Sequence, residues 1–339
     1  MQMLVGFIFV AALVWYVIEH RQRSTRAMPG GIDKTVSIPH SQIWELYHND
    51  FSLCSKKIRV CLAELDIGYK SHHIDLIETG SYQNLSRAFL KVNPGATVPV
   101  LIHQGHPIYE SHEQLKYSAS HAANPYLLIP KDPEKKSIME YWVHKTSLVG
   151  DDPIAAMNDT AGNAIPGLTL PIFSAMMTYI PYYRIAEGLL FHRLKKRALF
   201  FMVIKLFGIK RLTKMKPLLK VIEQSVKAMH RHLQELERVL ANSDGKWIVG
   251  DQFTLADVGM MVIFDRLLEV DWIDEFITTE TPNLRNYWND LQDRDSYAAA
   301  IDQFSHPTVV RGKAIIVDLK QGDEDFRKAL HSNPIEVDV

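Results

Sequence analysis

Cysteine is nearly absent from this sequence, and its scarcity narrows the possible chemistry. Cys54 and Cys61 are the two cysteines among 339 residues. If the segment between them is helical, seven residues make two turns and about 10 Å of rise, which is too far for a disulfide. Two cysteines alone are also too few for a four-ligand zinc site. We therefore expect no disulfide, no metal and a reducing compartment.

The chain also lacks an excess of charge of either sign. Its 38 lysines and arginines are balanced by 39 aspartates and glutamates, which leaves a net charge of −1. Without a protein-wide positive field we expect no nucleic-acid partner. Hydrophobic residues make up 47% of the chain, and 339 residues are enough for two compact domains with their own cores.

Residues 3–18 form an apolar run without a charged side chain. As a helix the run would be about 24 Å long, slightly less than the roughly 30 Å of a bilayer's hydrocarbon layer. Trp15 and Tyr16 lie where an interfacial aromatic belt is expected, and three arginines follow within Arg21–Arg26. The pattern predicts a transmembrane anchor over residues 1–20. The positive-inside rule then places the rest of the chain in the cytoplasm.

A cleaved signal peptide is the alternative interpretation of this run. Such a peptide carries positive charge before its apolar core and a small-residue cleavage site after it. Here the positive charge follows the core, which favours the anchor. Residues 21–40, which include Pro29, Gly30 and Gly31, are then predicted to be a linker.

Residues 41–126 alternate between strand and helix patterns. The order is strand, helix, strand, helix, strand, strand, helix, which suits an α/β domain with a small mixed sheet covered by helices. The predicted strands are 43–47, 72–76, 98–102 and 107–109, and the predicted helices are 55–65, one ending near Val92 and one beginning at Ser111.

Three short motifs in this domain carry a family resemblance. Ser52 lies at the turn from the first strand to the first helix, seven residues before Arg59. The pair Val98-Pro99 opens the third strand, and the pair Glu110-Ser111 opens the last helix. In this order and spacing the motifs resemble those of the glutathione transferase superfamily. The resemblance implies a thioredoxin-like domain, an all-α second domain, glutathione as co-substrate and a homodimer.

The same resemblance implies a role for each motif residue. Ser52 would stabilise the glutathione thiolate at a helix N-terminus, where the helix dipole favours negative charge. Val98, next to a cis peptide bond at Pro99, would pair with the extended peptide. Glu110 and Ser111 would hold its γ-glutamyl end, because the start of a helix offers a hydroxyl and free amides to a carboxylate.

Other interpretations of this domain stay open. Cys54 is the alternative catalytic residue, because the start of a helix stabilises a thiolate. Taken singly, Ser52 fits an ordinary turn residue and Ser111 an ordinary N-cap. Thr97 departs from the family pattern, since many relatives carry a lysine or glutamine two residues before the proline to contact the tripeptide. Its side chain is shorter than either.

Residues 134–305 are predicted to form an all-α domain. Thr254 and Asp257 have the spacing of a capping box, and they open a helix that continues to Val270. This helix resembles the buried core helix of the same superfamily. Further helices are predicted for 137–149 and 218–240, and residues 306–339 are predicted to be a hydrophilic tail without an assigned role.

Residues 152–216 are predicted to be a long insertion in the helical domain. A basic cluster at Arg193–Arg197 is followed by an apolar run at Ala198–Phe207. This alternation suits a membrane-surface or lipid-binding element. It equally suits a helical hairpin folded onto the domain, with its basic residues in solvent.

The insertion, the membrane segment and the Leu46-Tyr47-His48 motif resemble the ganglioside-induced differentiation-associated branch of the superfamily. That branch carries its membrane segment at the C-terminus, whereas here it lies at the N-terminus. Two functions stay open. The first is a membrane-anchored enzyme that conjugates glutathione to hydrophobic electrophiles. The second is a non-catalytic membrane adaptor or lipid sensor on the same scaffold.

Overall fold

An apolar helix forms the first element of the structure, a computed structural model that describes residues 2–150 and 152–330. Most apolar side chains of this helix, α1 (Gln2–Gln22), are exposed to solvent, and the exposed fraction reaches 91% for Met3 and 73% for Phe7. By length and composition, Met3–Gln22 is suited to cross a membrane, and it is the one such stretch in the described ranges. The predicted anchor therefore lies on a single continuous apolar helix.

The first domain is built on a five-stranded sheet in the order β1-β5-β4-β2-β3. β2 and β3 are parallel, and the other neighbours are antiparallel. The predicted α/β domain is confirmed. The strands are β1 (Gly31–Ile32), β2 (Trp44–His48), β3 (Lys70–His73), β4 (Val100–His103) and β5 (His106–Tyr109), and the helices are α2 (Leu53–Glu64), α3 (Arg87–Val92) and α4 (Ser111–Ser120).

Part of the segment predicted as a linker belongs to this sheet. Gly31 pairs with Tyr109 and Ile32 with Ile108, so β1 adds a strand to the edge at β5. Gly31 has a φ of 98°, a conformation that glycine adopts without the steric cost of a side chain. The chain that follows α1 is thus fixed to the domain rather than connecting it loosely.

The second domain is helical, as predicted, and α11 (Leu255–Glu269) lies at its centre. All thirteen residues from Leu255 to Leu267 are buried. The predicted capping box is present, since Asp257 accepts the Thr254 N–H at 2.8 Å. The other helices are α5 (Pro133–Lys145), α6 (Ala161–Leu168), α7 (Leu170–Met176), α8 (Tyr182–Phe191), α9 (Lys195–Phe207), α10 (Lys216–Ala241), α12 (Ile273–Phe276), α13 (Pro282–Gln292), α14 (Asp295–Ala300), α15 (Pro307–Gly322) and α16 (Glu324–Leu330).

The insertion at 152–216 is helical, and part of it is folded onto the domain while part exposes apolar side chains. α6 and α7 belong to the core, with Ile165, Leu168 and Ile172 almost completely buried. α8 and α9 pack against each other and bury one side, which includes Ile185 and Phe201. Their other side is exposed and apolar. We define the α8–α9 face as the exposed side chains Tyr182, Tyr183, Leu190, Leu194, Leu199, Leu206 and Phe207.

The prediction of a separate hydrophilic tail at 306–339 needs correction. α15 packs against α7, and α16 packs against α10 and α15. Val309, Ile316 and Phe326 are buried, because they lie on the sides of these helices that face the domain. The helical domain therefore extends to Leu330, and the final nine positions of the predicted tail, 331–339, lie outside the described residues.

Candidate functional site

The turn between β2 and α2 is held by an internal network. The Asn49 side chain accepts the N–H groups of Phe51 and Ser52 at 3.0 and 3.1 Å, and it donates to the Thr79 hydroxyl at 2.8 Å. Ser52 is the N-cap of α2, and its hydroxyl oxygen accepts the Ser55 N–H at 3.3 Å. The hydroxyl of Ser52 is therefore positioned at the N-terminus of a helix, as its motif predicts.

Two buried arginines hold the carbonyl groups that precede Ser52. Arg59 donates to the carbonyl oxygens of Asn49 at 3.1 Å and Asp50 at 3.3 Å. Arg266, on α11, donates to the carbonyl oxygen of Phe51 and lies 3.9 Å from the centre of its ring. Sequence reasoning used Arg59 to identify the motif but assigned no function to Arg266, since nothing local connects α11 to this turn.

The second and third motifs lie at the start of β4 and the end of β5. The Val98-Pro99 peptide bond is cis, as the resemblance predicts. The buried Gln114 side chain donates to the carbonyl oxygens of Pro99 at 2.9 Å and Ile108 at 2.8 Å, which ties the two strands to α4. Glu110 has a φ of 65°, which is uncommon for a residue other than glycine. Such outliers occur preferentially at functional sites.

One cavity of about 470 Å³ brings residues of all three motifs together. Ser52, Val98 and Glu110 line it. Pro99 and Ser111 follow two of these residues in the chain but do not line the cavity. Cys54 lies in the first turn of α2, partly exposed, and is also not a lining residue. The geometry thus favours Ser52 over Cys54 as the residue that would face a ligand.

Two other parts of the chain complete the cavity wall. The first is Thr25–Met28, between α1 and β1. Its backbone is fixed because the Arg26 N–H donates to the carbonyl oxygen of Pro94 at 3.0 Å. The second is the connection between α8 and α9, from which His192, Arg193, Leu194 and Arg197 line the cavity.

Helix α8 is held close to the first domain by tight packing. A Cβ atom on Gly188 would lie only 2.3 Å from the hydroxyl oxygen of Tyr82, so only glycine permits this approach. The rings of Tyr82 and His192 lie 5.5 Å apart. Arg197 forms an ion pair with Glu78. Burial lowers the pKa of Arg197 to about 10, so its guanidinium is still charged at neutral pH.

The described part of the chain contains no group of three or more histidine, cysteine, aspartate or glutamate side chains suited to hold a metal ion. The cavity lining offers hydroxyl, backbone amide and charged groups, which include Ser52, Glu110 and Arg193. A serine hydroxyl at a helix N-terminus can donate to an anion, and the helix dipole adds to its stabilisation.

Comparison with known families matches both domains to one superfamily. Family models described as the N-terminal and C-terminal domains of glutathione S-transferase match residues 51–121 and 214–301. Glutathione S-transferase TCHQD of Arabidopsis thaliana is 26% identical over 264 residues, which cover 77% of this chain and 90% of the relative. Maleylacetoacetate isomerase of Rattus norvegicus is 37% identical over 94 residues, which cover 28% of this chain and 43% of the relative.

Solved structures share the fold at low sequence identity. The β-etherase LigF from Sphingobium sp. strain SYK-6 has a TM-score of 0.59 at 19% identity and covers 77% of this chain and 100% of its own. Glutathione transferase F2 from Populus trichocarpa has a TM-score of 0.53 at 18% identity, and the match covers 77% of this chain and 98% of the poplar chain. The family models, the relatives and the fold together support a place for this chain in the glutathione S-transferase superfamily.

Proposed function

We propose that this chain, with both domains of the glutathione S-transferase type, is a membrane-anchored enzyme that conjugates glutathione to hydrophobic electrophiles. The observation that carries the proposal is the convergence of Ser52, Val98 and Glu110 on one cavity. These residues come from three separate places in the sequence. A hydroxyl, a peptide-pairing backbone and a carboxylate are what a tripeptide with a thiol and an ammonium group requires.

The chemistry follows from the thiol's acidity. A free thiol has a pKa of about 8.5, so most glutathione is protonated at neutral pH. The Ser52 hydroxyl donates a hydrogen bond to the thiolate, and the N-terminus of α2 adds favourable charge. The thiol proton goes to solvent. The sulfur then forms a bond to the electrophilic carbon, and the displaced electron pair leaves with the leaving group or moves into the acceptor system.

The direct test of this role is the substitution Ser52→Ala, because it removes the hydroxyl donor. Loss of a hydrogen bond to a charged group is expected to lower turnover by about 10- to 100-fold. Ultraviolet absorbance of the thiolate, titrated with pH, should show the pKa of bound glutathione returning toward about 8.5.

Ser86→Ala is the matched control for this substitution. Ser86 caps α3 by accepting the Phe89 N–H at 3.2 Å, and it does not line the cavity. Like Ser52→Ala, the substitution Ser86→Ala removes a helix N-cap, which lowers the stability of the protein by about 1 kcal/mol. Unlike Ser52→Ala, it leaves the hydroxyl at the cavity in place. Equal effects of the two substitutions on thiol pKa and turnover would contradict the role of Ser52.

Membrane anchoring is supported by the way α1 meets the domains. Trp15 and Tyr16 contact Phe191 at ring distances of 6.1 and 6.0 Å. Arg23 forms ion pairs with Glu19 at 3.0 Å and with Glu187 at 2.6 Å. The cytoplasmic end of the anchor is thereby fixed to α8. Electrophiles dissolved in the membrane would then have a short path to the cavity.

The second candidate is a non-catalytic membrane adaptor or lipid sensor. The exposed, apolar α8–α9 face favours it, as does the resemblance to the ganglioside-induced differentiation-associated branch. Under this proposal the cavity is a remnant, and full-length protein in nanodiscs would neither bind glutathione nor lower its thiol pKa. A lowered thiol pKa would exclude this candidate.

A further inference from the structure

The cavity wall carries two arginines whose side chains have neither a hydrogen-bond nor an ion-pair partner among the described residues. The guanidinium groups of Arg26 and Arg193 make no hydrogen bond and no ion pair there, whereas the third cavity arginine, Arg197, pairs with Glu78. Unpaired guanidinium groups at a cavity wall are suited to bind carboxylates, because their fork of N–H donors matches two carboxylate oxygens. Both residues lie outside the segments matched by the two domain models.

The free charges in the cavity match one ligand in number and sign. Glu110 lines the cavity and has no ion pair within the described ranges, so the wall offers one carboxylate and two guanidinium groups. Glutathione carries one ammonium group and two carboxylates. The charge pattern of the wall is therefore the complement of this tripeptide.

The side chain two residues before the cis proline cannot supply this contact. Thr97 is short, and its hydroxyl accepts a hydrogen bond from the Asn93 side chain at 3.0 Å. Arg26 reaches the same part of the cavity, because its backbone N–H is bonded to Pro94 and Met28 packs against Gly95.

Arg26 is held in place from both sides. On one side β1 pairs with β5, and on the other Arg23 binds Glu187 at 2.6 Å. Its charge also reaches Asp33 and Tyr109. Burial and the Asp33 carboxylate raise the pKa of Tyr109 to about 12, and Arg26 acts in the opposite direction. Glu187 belongs to α8, which leads directly to Arg193. The ion pair therefore connects the two segments that carry the free arginines.

We propose that Arg26 and Arg193 form a carboxylate-binding pair that holds glutathione, so that the segments outside the two matched domains complete the peptide site. This inference rests on the proposed function, since it assigns residues to the same cavity. A carboxylate on the electrophile is the other possible source of the bound group, and the experiment below separates the two.

The experiment is calorimetry of glutathione binding to the full chain in nanodiscs, with Arg26→Gln and Arg193→Gln. Each substitution should weaken glutathione binding by about tenfold or more, as expected for the loss of a charge-assisted hydrogen bond. Arg21→Gln and Lys196→Gln are the matched controls. Both positions are exposed, lie close in sequence to the tested arginines and do not line the cavity. Their glutathione affinity should be unchanged.

A glutathione ester with its glycyl carboxylate blocked is the second probe. Wild-type protein should prefer glutathione to the ester, and this preference should be reduced in at least one of the two variants. If both variants retain wild-type affinity for glutathione, the inference is wrong while the proposed function stands. A higher KM confined to a carboxylate-bearing electrophile would assign the pair to the second substrate and also overturn it. Failure of the wild-type protein to bind glutathione would overturn the proposed function together with this inference.

Discussion

Arg266 supports the turn before Ser52 without contacting Ser52 itself. It donates to the carbonyl oxygen of Phe51, covers the ring of that residue and forms an ion pair with Glu269 at 3.0 Å. With Arg59, it holds the three carbonyl groups that precede Ser52. A hydroxyl held by such a support keeps its direction when a ligand binds, which is the condition for stabilising a thiolate.

We therefore predict that Arg266→Met lowers turnover by about tenfold, because small displacements of a catalytic group are costly. It should also raise the thiol pKa of bound glutathione toward its solution value. A stability loss of about 1–3 kcal/mol is expected, since the Phe51 carbonyl loses its partner.

Arg294→Met provides the control for this positioning role. The guanidinium group of Arg294 also covers a phenylalanine, since it lies 3.7 Å from the centre of the Phe253 ring, and it forms an ion pair with Glu64 at 2.6 Å. Neither contact involves the Ser52 turn. Arg294→Met should lower stability and leave the thiol pKa unchanged. If both substitutions shift the thiol pKa equally, Arg266 has only a structural role.

The sequence predicted the residues that local motifs reveal. Ser52, Val98 and Glu110 belong to short patterns at turns, and the structure places all three on one cavity. Arg26 and Arg193 were not identified, because each lies in a basic stretch with several equivalent residues. Only the fold shows which arginine of each stretch faces the cavity.

At the scale of elements, α1 and the α8–α9 face both expose apolar side chains. The end of α1 contacts Phe191, the last residue of α8. Leu190 and Leu194, on either side of that contact, are exposed, and Lys195 and Lys196 follow. Exposed apolar side chains next to basic ones suit the interface of a membrane with anionic lipids.

We predict that this face touches the membrane when α1 spans it. A photo-reactive benzoylphenylalanine at Leu199 or Leu206 should cross-link to lipid in nanodiscs that contain phosphatidylserine. The same group at Phe9, in α1, should also cross-link, and mass spectrometry of the adducts is the measurement. Ile43, which is 62% exposed and precedes β2 at the end of the sheet opposite Ser52, should give no lipid adduct.

The cross-linking results distinguish membrane contact by α1 from membrane contact by the α8–α9 face. Lipid adducts at Phe9 without any at Leu199 and Leu206 would leave α1 as the sole membrane contact. Absence of adducts at Phe9 would contradict the anchor itself. Adducts at Ile43 would show that the cross-linking does not discriminate between surfaces.

Elements with strong internal patterns were predicted, and elements defined by their partners were not. The capping box at Thr254 marked the start of α11 within one residue. β1 has only two residues and exists because β5 offers an unpaired edge. α15 carried a usable signal in the spacing of Val309 and Ile316, but the acidic, hydrophilic end of the chain obscured it.

At the scale of the whole molecule, one cavity joins the first domain to two segments outside the matched domains. The chain after α1 and the connection between α8 and α9 both line it, and the Arg23–Glu187 ion pair links these segments. Sequence patterns describe each segment singly, so they did not predict that the predicted linker and the predicted insertion would both line this cavity. The fold couples the predicted anchor directly to the wall of the cavity.

Every function proposed for Ser52, Arg26 and Arg193 requires that this cavity binds glutathione. The most direct measurement is calorimetric titration of the full chain in nanodiscs with glutathione. We predict a dissociation constant between about one micromolar and a few millimolar, which corresponds to roughly −8 to −4 kcal/mol. No detectable binding up to about ten millimolar glutathione would contradict it and would favour the non-catalytic scaffold.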